Sequence, residues 1–245
     1  MVPNGLSGLA QSLLGLLYPN ACLICDAAET DSSVFRHGLC DDCHTAVASD
    51  PAEVCPHCAA TVGPHTETST GCPACRPHSF AFESAVRLGQ YEGRLREAVL
   101  RMKNSHGEPL AELMGRVLAE SKLSPIKSLG ADVVVPVPLH WRQRWSRGYN
   151  QAEALARGLA GCLGVDIDAS CLRRVQPLSQ HAQPSATARR ENIRGGFQCR
   201  RRASLAGKTV LVVDDVMTTG STAGAVARVI RQVAARVHVV VLARA

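Results

Sequence analysis

The sequence lacks an apolar run long enough to cross a membrane, and its first residues lack the basic segment and the small-residue cleavage site of an export signal. Residues 1–19 instead carry apolar side chains at helical spacing, namely Leu6, Leu9, Ala10, Leu13, Leu14 and Leu17. This pattern predicts an N-terminal amphipathic helix that docks on protein, with a membrane-surface anchor as the alternative. Without an export signal, we expect a cytoplasmic chain.

Lysine is scarce, since arginine supplies 23 of the 27 basic residues. The charge is also uneven along the chain. Residues 1–130 hold ten Lys and Arg against fourteen Asp and Glu, whereas residues 131–245 hold seventeen against seven. The C-terminal part is therefore the basic one, which suits a phosphate-rich ligand, a nucleic acid, or both.

Cysteine is abundant, but in one region only. Eight of the eleven cysteines form four C-x₂-C pairs: Cys22 and Cys25, Cys40 and Cys43, Cys55 and Cys58, Cys72 and Cys75. Fourteen residues separate the first pair from the second, and thirteen separate the third pair from the fourth. This spacing is typical of structural zinc sites, and a reducing compartment favours metal over disulfides. We predict a double zinc ribbon over residues 20–78, with sequential pairing preferred. Crossed pairing and the loss of one of the two zinc ions are the alternatives.

The remaining cysteines, Cys162, Cys171 and Cys199, are scattered, and we expect them to be small core or surface residues rather than nucleophiles. The ribbon itself either covers part of the rest of the protein or binds nucleic acid, and its acidic surroundings disfavour the second use.

Strand and helix patterns alternate over residues 79–245, which we predict to be one α/β domain with a mostly parallel sheet flanked by helices. The expected strands span residues 84–91, 131–135, 171–175, 209–213 and 237–242, and the expected helices span 93–102, 108–123, 151–163 and 221–234. We expect a loop at the basic segment 139–148 and a mobile lid at the polar segment 176–196. Ligands of such sheets bind beyond the carboxyl ends of the strands.

Residues 210–222, VLVVDDVMTTGST, place two acids at such a strand end. Three ligands are considered for this position: a nucleoside triphosphate, a metal alone, and an activated sugar phosphate. A P-loop requires glycine at position 202, which is Arg202, and Lys208 leads into a strand rather than a helix. Metal alone is disfavoured because neighbouring residues of a strand point to opposite faces. The sugar phosphate fits, because hydroxyls and amides at a helix N-terminus bind a phosphate while the upstream carboxylates accept hydrogen bonds from the ribose hydroxyls.

These thirteen residues resemble the phosphoribosyl-pyrophosphate signature of type I phosphoribosyltransferases. Together with the cysteine pairs and the segments Tyr91-Glu-Gly-Arg-Leu-Arg, Arg101-Met-Lys103 and Arg147-Gly-Tyr-Asn-Gln151, the chain resembles the competence-associated, GntX-like ComF family over most of residues 15–245. That family joins a zinc ribbon, here predicted at 20–78, to a phosphoribosyltransferase domain, here at 79–245, and is associated with DNA uptake in natural transformation.

The resemblance implies roles for individual residues. Asp214 and Asp215 would hold the ribose hydroxyls, and the 5′-phosphate would bind to Thr218, Thr219, Gly220, Ser221 and Thr222. The pyrophosphate loop corresponds to residues 136–139, and the donors available to neutralise the diphosphate with Mg²⁺ are Arg142, Arg144 and Arg147. The segment with Gln180, Arg189, Arg190 and Asn192 resembles a flexible catalytic hood. Arg173, Arg174 and residues 200–202 are expected to be solvated surface.

A binding module without catalysis is the competing hypothesis. Trp141, Trp145 and Tyr149 alternate with the three arginines of the same segment, and rings beside cations stack bases of single-stranded DNA. The simpler expectation is that these rings pack beneath the loop. A competence protein such as a DNA-uptake helicase is a further candidate partner.

Overall fold

The computed structural model describes residues 21–28, 35–36, 38–175 and 195–245. The predicted N-terminal helix and the predicted hood residues Gln180, Arg189, Arg190 and Asn192 lie outside the described residues. The division of the chain at residues 19 and 78 stays a prediction. No helix within the described ranges is both long and apolar enough to cross a membrane.

The cysteine-rich region contains little regular structure. Its elements are β1 (Phe35–Arg36), β2 (Leu39–Cys40) and α1 (Asp41–Ala48), and the two strands pair antiparallel. Asp41 and Asp42 lie in the first turn of α1, where acids interact favourably with the helix dipole. Regular structure this sparse cannot bury a large core, so the region depends on its cysteine sites and on docking against the rest of the chain.

The second part of the chain alternates strands and helices, as predicted. Its elements in chain order are β3 (Ser84–Gln90), α2 (Gly93–Arg101), α3 (Glu108–Ser121), α4 (Leu123–Lys127), β4 (Val133–Pro136), α5 (Trp141–Arg147), α6 (Gln151–Leu163), β5 (Asp166–Ile167), β6 (Leu172–Arg174), β7 (Phe197–Cys199), α7 (Arg202–Leu205), β8 (Thr209–Met217), α8 (Ser221–Ile230) and β9 (Arg236–Arg244).

Five of these strands form one parallel sheet in the order β3-β9-β8-β4-β5. The central strands β8 and β9 are aliphatic and buried because helices cover both faces of a parallel sheet. Leu211 and Val213 pack into the layer that contains α3 and α6, and Val210 and Val212 pack into the layer that contains α8. The predicted fold class is confirmed.

Helices α3 and α6 cross at close range, and glycine makes this possible. A Cβ atom added to Gly158 would overlap the carbonyl oxygen of Glu112, and one added to Gly115 would overlap the carbonyl oxygen of Leu155. The crossing brings the start of α6 to the carboxyl edge of the sheet. It therefore helps to position residues that follow β4.

Two sequence expectations were wrong in detail. The basic segment expected to be a loop forms α5, which begins after His140 and ends at Gly148 in the left-handed conformation (φ 82°). The strand expected at 171–175 forms as β6, but it pairs antiparallel with β7 outside the main sheet. Sequence patterns miss such pairings because the partner lies across a long polar insertion.

The cysteine-rich region docks on the sheet through two arginines, of which Arg87 is buried and Arg244 is half-buried. Arg87 on β3 donates two hydrogen bonds to the Asp50 carboxylate (2.8 and 3.1 Å), one to the Ala59 carbonyl and one to the Thr61 hydroxyl. Arg244, at the end of β9, donates to the carbonyl oxygen of Cys58 at 3.3 Å. These contacts support the interpretation of the ribbon as a cover over part of the α/β domain.

Candidate functional site

The eight paired cysteines form two clusters, each with its sulfur atoms within 4.8 Å of one another, in the sequential pairing that the spacing favours: Cys22, Cys25, Cys40 and Cys43, then Cys55, Cys58, Cys72 and Cys75. Measured S···S distances are 3.7 Å for Cys25 and Cys40, 3.6 Å for Cys58 and Cys72, and 3.8 Å for Cys55 and Cys75. A tetrahedron with Zn–S bonds of about 2.3 Å has edges of about 3.8 Å. The thiols are therefore arranged as two zinc sites that fit a double zinc ribbon. Four sulfurs leave no open coordination position, so these sites are structural.

The acidic pair Asp214 and Asp215 lies near the carboxyl end of β8, where the parallel sheet places ligands. Asp214 accepts a hydrogen bond from the Asp215 amide (2.9 Å), and Asp215 accepts one from the Val216 amide (2.8 Å). Burial, followed by the neighbouring Asp215 charge, raises the pKa of Asp214 well above its usual range. Donor hydroxyls or a cation at this position would favour the ionised pair.

Two residues that sequence reasoning did not assign contact Asp215. The Gln151 side-chain amide, at the start of α6, donates to Asp215 Oδ2 at 3.3 Å, and Lys103 Nζ lies 3.6 Å from the same oxygen. Both lie in segments already noted for their family resemblance, which was the available signal. Their contact with Asp215 depends on chain segments far apart in sequence.

The hydroxyl-rich turn lies between β8 and α8. Gly220 caps the helix with φ 73°, and the hydroxyls of Thr219 and Ser221 are 2.6 Å apart. Thr218 is exposed and Thr222 is half-buried. The first amides of α8 have no partner in their own helix, so this turn offers backbone and hydroxyl donors to an anion.

Glycine at position 220 is required by more than the turn. A Cβ atom there would lie 2.9 Å from the Phe80 ring, which also packs against the second cysteine cluster. The family resemblance places this glycine among the residues of the 5′-phosphate, and the structure adds contact with the ribbon side of the molecule. Thr219, Gly220 and Ser221 also line a cavity of about 390 Å³ with Arg228.

The three arginines assigned to the diphosphate do not converge on one point. Arg142 stacks over the Trp141 ring at 5.2 Å, Arg144 pairs with Glu153 at 3.5 Å, and Arg147 donates to the Gln151 side-chain oxygen Oε1 at 3.1 Å. Because Gln151 in turn contacts Asp215, Arg147 is linked to the acidic pair through one side chain. On α5, Arg144 and Arg147 lie three residues apart and both contact α6, whereas Arg142 lies over Trp141.

A cavity of about 670 Å³ adjoins the segment after β4. Its lining includes Pro138 and Leu139 of the predicted pyrophosphate loop, and the arginines Arg144, Arg173, Arg174 and Arg200. Burial lowers the pKa of Arg174, and the charge of Asp214 partly opposes that shift. The cavity is therefore basic and lies close enough to the acidic pair for their charges to interact. Arg173, Arg174 and Arg200, expected to be plain surface, belong to it.

The aromatic residues of the same region divide into two kinds. Trp141 and Trp145 are 58% and 82% exposed, so the expectation that they pack beneath a loop is wrong. Tyr149 is buried, and its hydroxyl donates to the Met102 carbonyl oxygen. Burial raises the pKa of Tyr149 to about 12, which keeps this hydroxyl protonated. Only the two tryptophans of this trio present rings to solvent.

Comparison with known proteins matches residues 129–245 to the phosphoribosyl transferase domain and residues 13–76 to the double zinc ribbon domain. The DNA utilization protein YhgH of Salmonella typhi is 30% identical over 233 residues, which cover 94% of this chain and 99% of that protein. Competence protein F of Haemophilus influenzae is 28% identical over 204 residues, 81% of this chain and 86% of that protein. The chain belongs to the ComF family.

Competence protein ComFC of Bacillus subtilis is more distant, at 24% identity over 232 residues, 85% of this chain and 87% of that protein. Among solved structures, the glutamine phosphoribosylpyrophosphate amidotransferase of Bacillus subtilis in complex with ADP and GMP covers 54% of this chain and 25% of its own, with 25% identity and a TM-score of 0.37. The ComF-family chain thus spans about a quarter of the amidotransferase. The architecture of the ComF-family chain itself is a phosphoribosyltransferase-like α/β domain with a double zinc ribbon.

Proposed function

We propose that the chain binds phosphoribosyl pyrophosphate with Mg²⁺ at the carboxyl end of β8 and supports the uptake of single-stranded DNA in natural transformation. One observation carries the first part: an acidic pair, with Asp215 buried and Asp214 half-buried, precedes a hydroxyl-rich helix N-terminus beside an arginine-lined cavity. The names of the relatives, competence and DNA utilization proteins, support the second part. A cytoplasmic location is part of this proposal.

The sugar end of the ligand is held by the acids and the turn. Asp214 and Asp215 accept hydrogen bonds from the vicinal ribose hydroxyls, while residues 218–222 donate from amides and hydroxyls to the 5′-phosphate. The hydroxyl donors replace the water that burial excludes, which lowers the cost of ionising Asp214. The two ends of the ribose phosphate are thereby fixed by one continuous strand-to-helix segment.

In this proposal the diphosphate end lies toward the 670 Å³ cavity, which Arg144 lines among the three predicted donors, and Arg147 acts through Gln151. The carboxylates offer the hard oxygen ligands that suit Mg²⁺, which when bound would neutralise the diphosphate as it leaves. In the transfer reaction the anomeric carbon develops positive charge, and the acidic pair stabilises that charge while the turn fixes the sugar.

Removal of both carboxylates tests the proposal. We expect Asp214→Asn with Asp215→Asn to abolish binding of phosphoribosyl pyrophosphate and Mg²⁺ in calorimetry, while zinc content stays at the wild-type value. The zinc measurement shows that the variant is folded around its ribbon. Wild-type affinity in the double variant would refute the assignment of the site.

Catalysis is tested separately from binding. Release of pyrophosphate from the activated sugar, in the presence of a small acceptor, supports a phosphoribosyltransferase. Binding without pyrophosphate release across a broad acceptor panel supports a module that keeps the ligand site without transfer.

The second candidate is a non-catalytic module that binds single-stranded DNA. Its support is the pair of exposed rings, Trp141 and Trp145, on a helix that carries Arg142 and Arg144 beside the basic cavity. Exposed rings stack bases and cations follow the phosphates. We expect DNA affinity to fall steeply with salt and to fall further in Trp145→Ala, with Tyr149→Phe as the buried-ring control. Salt-independent affinity, or an unchanged affinity in Trp145→Ala, would contradict this candidate.

A further inference from the structure

Lys103 lies in the turn between α2 and α3, and the fold delivers it to the acidic pair. Its ammonium is 3.6 Å from Asp215 Oδ2, with the lysine side chain one-third exposed. The turn is held in place on both sides: the Tyr149 hydroxyl donates to the Met102 carbonyl, and a Cβ atom at Gly107 would lie 2.7 Å from that hydroxyl. A turn packed this closely fixes where the lysine stem begins.

Charge explains why a cation belongs at this position. Two adjacent carboxylates face a site proposed to take a ligand with a monophosphate and a diphosphate. Electrostatic repulsion between these anions opposes binding unless a positive charge lies between them. Lys103 contacts Asp215, and its charge also acts on Asp214, where it favours the ionised carboxyl. The lysine thus lowers the repulsion from the pair.

The structure of the ligand places the diphosphate next to this cation. The ribose carbon that carries the diphosphate is bonded to the carbon that carries one of the hydroxyls held by the acids. With that hydroxyl on Asp215, the ammonium 3.6 Å from the same carboxylate is within reach of the diphosphate oxygens. The lysine stem has four flexible carbons and three rotatable donors, so its head can pass from Asp215 to those oxygens when the ribose hydroxyls occupy the carboxylate.

We propose that Lys103 is a ligand-contacting residue of this site and binds the diphosphate of the activated sugar, an inference that rests on the proposed function. Its role is separate from that of Gln151, which also contacts Asp215 but carries no charge. The geometry assigns it to the leaving-group side of the ligand rather than to the 5′-phosphate side.

The test compares two ligands that differ only in the diphosphate. Affinities for phosphoribosyl pyrophosphate with Mg²⁺ and for ribose 5-phosphate are measured by calorimetry on the full chain carrying Lys103→Met, Lys103→Arg or Lys127→Met. Lys127 is an exposed lysine of α4 and serves as the matched control. We expect Lys103→Met to weaken the affinity for phosphoribosyl pyrophosphate by about tenfold or more, as for loss of a charge-assisted contact. The affinity of the same variant for ribose 5-phosphate should change less than about twofold. Lys103→Arg should retain more affinity for phosphoribosyl pyrophosphate than Lys103→Met.

The alternative outcomes separate this inference from the function on which it rests. Equal losses for both ligands would show that Lys103 only positions Asp215, which overturns the diphosphate contact. Unchanged affinity for both ligands would also overturn it. A wild-type chain that binds neither ligand would instead refute the proposed function itself, and the inference with it.

Discussion

The buried ion pair between Arg87 and Asp50 provides the most demanding test of how the ribbon is attached. The two side chains are 1% and 3% exposed, and Arg87 is further satisfied by the Ala59 carbonyl and the Thr61 hydroxyl. Arg87→Met removes the cation and leaves the Asp50 carboxylate buried without a partner. Breaking a buried pair in this way costs about 3–5 kcal/mol, a large part of the roughly 5–15 kcal/mol that stabilises a typical domain.

Urea unfolding of Arg87→Met measures this cost, and hydrogen exchange of residues 50–61 shows whether the ribbon undocks before the sheet unfolds. The control is Arg94→Met, which removes an exposed pair with Glu97 and should change the unfolding free energy by less than about 0.5 kcal/mol. The apolar double variant, Arg87→Met with Asp50→Leu, should recover much of the loss because no charge stays buried. A loss below about 1 kcal/mol in Arg87→Met would refute the reasoning.

Three further predictions concern the core, a buried histidine and the metal. Gly158→Ala should destabilise the fold by about 1–3 kcal/mol because its methyl group would separate α3 from α6. Gly161→Ala, with open space around it, should be neutral or stabilising. Equal effects of the two substitutions in thermal unfolding would contradict this prediction. Burial lowers the pKa of His238, so the unfolded chain binds a proton below about pH 6.5 that the folded chain excludes. Stability from this group is present above that pH and is lost as pH falls. We expect His238→Gln to reduce the slope of unfolding free energy against pH between about pH 7 and 5, and an unchanged slope would disprove this expectation. Metal analysis should find two zinc ions per wild-type chain and fewer in Cys58→Ser, while Cys162→Ser, exposed and outside both clusters, should keep two.

Local features of this chain were predictable because their partners are close in sequence. A C-x₂-C turn presents both sulfurs to one ion, so the cysteine spacing indicated two zinc sites and favoured their sequential pairing. The aliphatic runs in β8 and β9 reflect burial on both faces of a parallel sheet, which sequence shows directly. The segment from Asp214 to Thr222 combines the end of a strand with the start of a helix, so its placement at the sheet edge also followed from sequence.

Other features depended on segments that meet only after folding. The helical form of the basic segment after β4 was missed because a short helix with few apolar residues has no hydrophobic period. The exposure of Trp145 and the burial of Tyr149 could not be separated, since both rings belong to one sequence pattern. The contribution of Arg173 and Arg200 to the basic cavity depends on the hairpin that pairs β6 with β7.

The sequence by itself determined the class of the protein: two four-cysteine sites, a parallel α/β domain and an acidic strand end followed by a hydroxyl-rich turn. Each of these is encoded by residues within a short window. Only the tertiary structure decided which side chains surround that strand end. Lys103 and Gln151 reach Asp215, and Arg87 holds Asp50, because β-strands and helices from separate parts of the chain pack against one another, and no local pattern records such contacts.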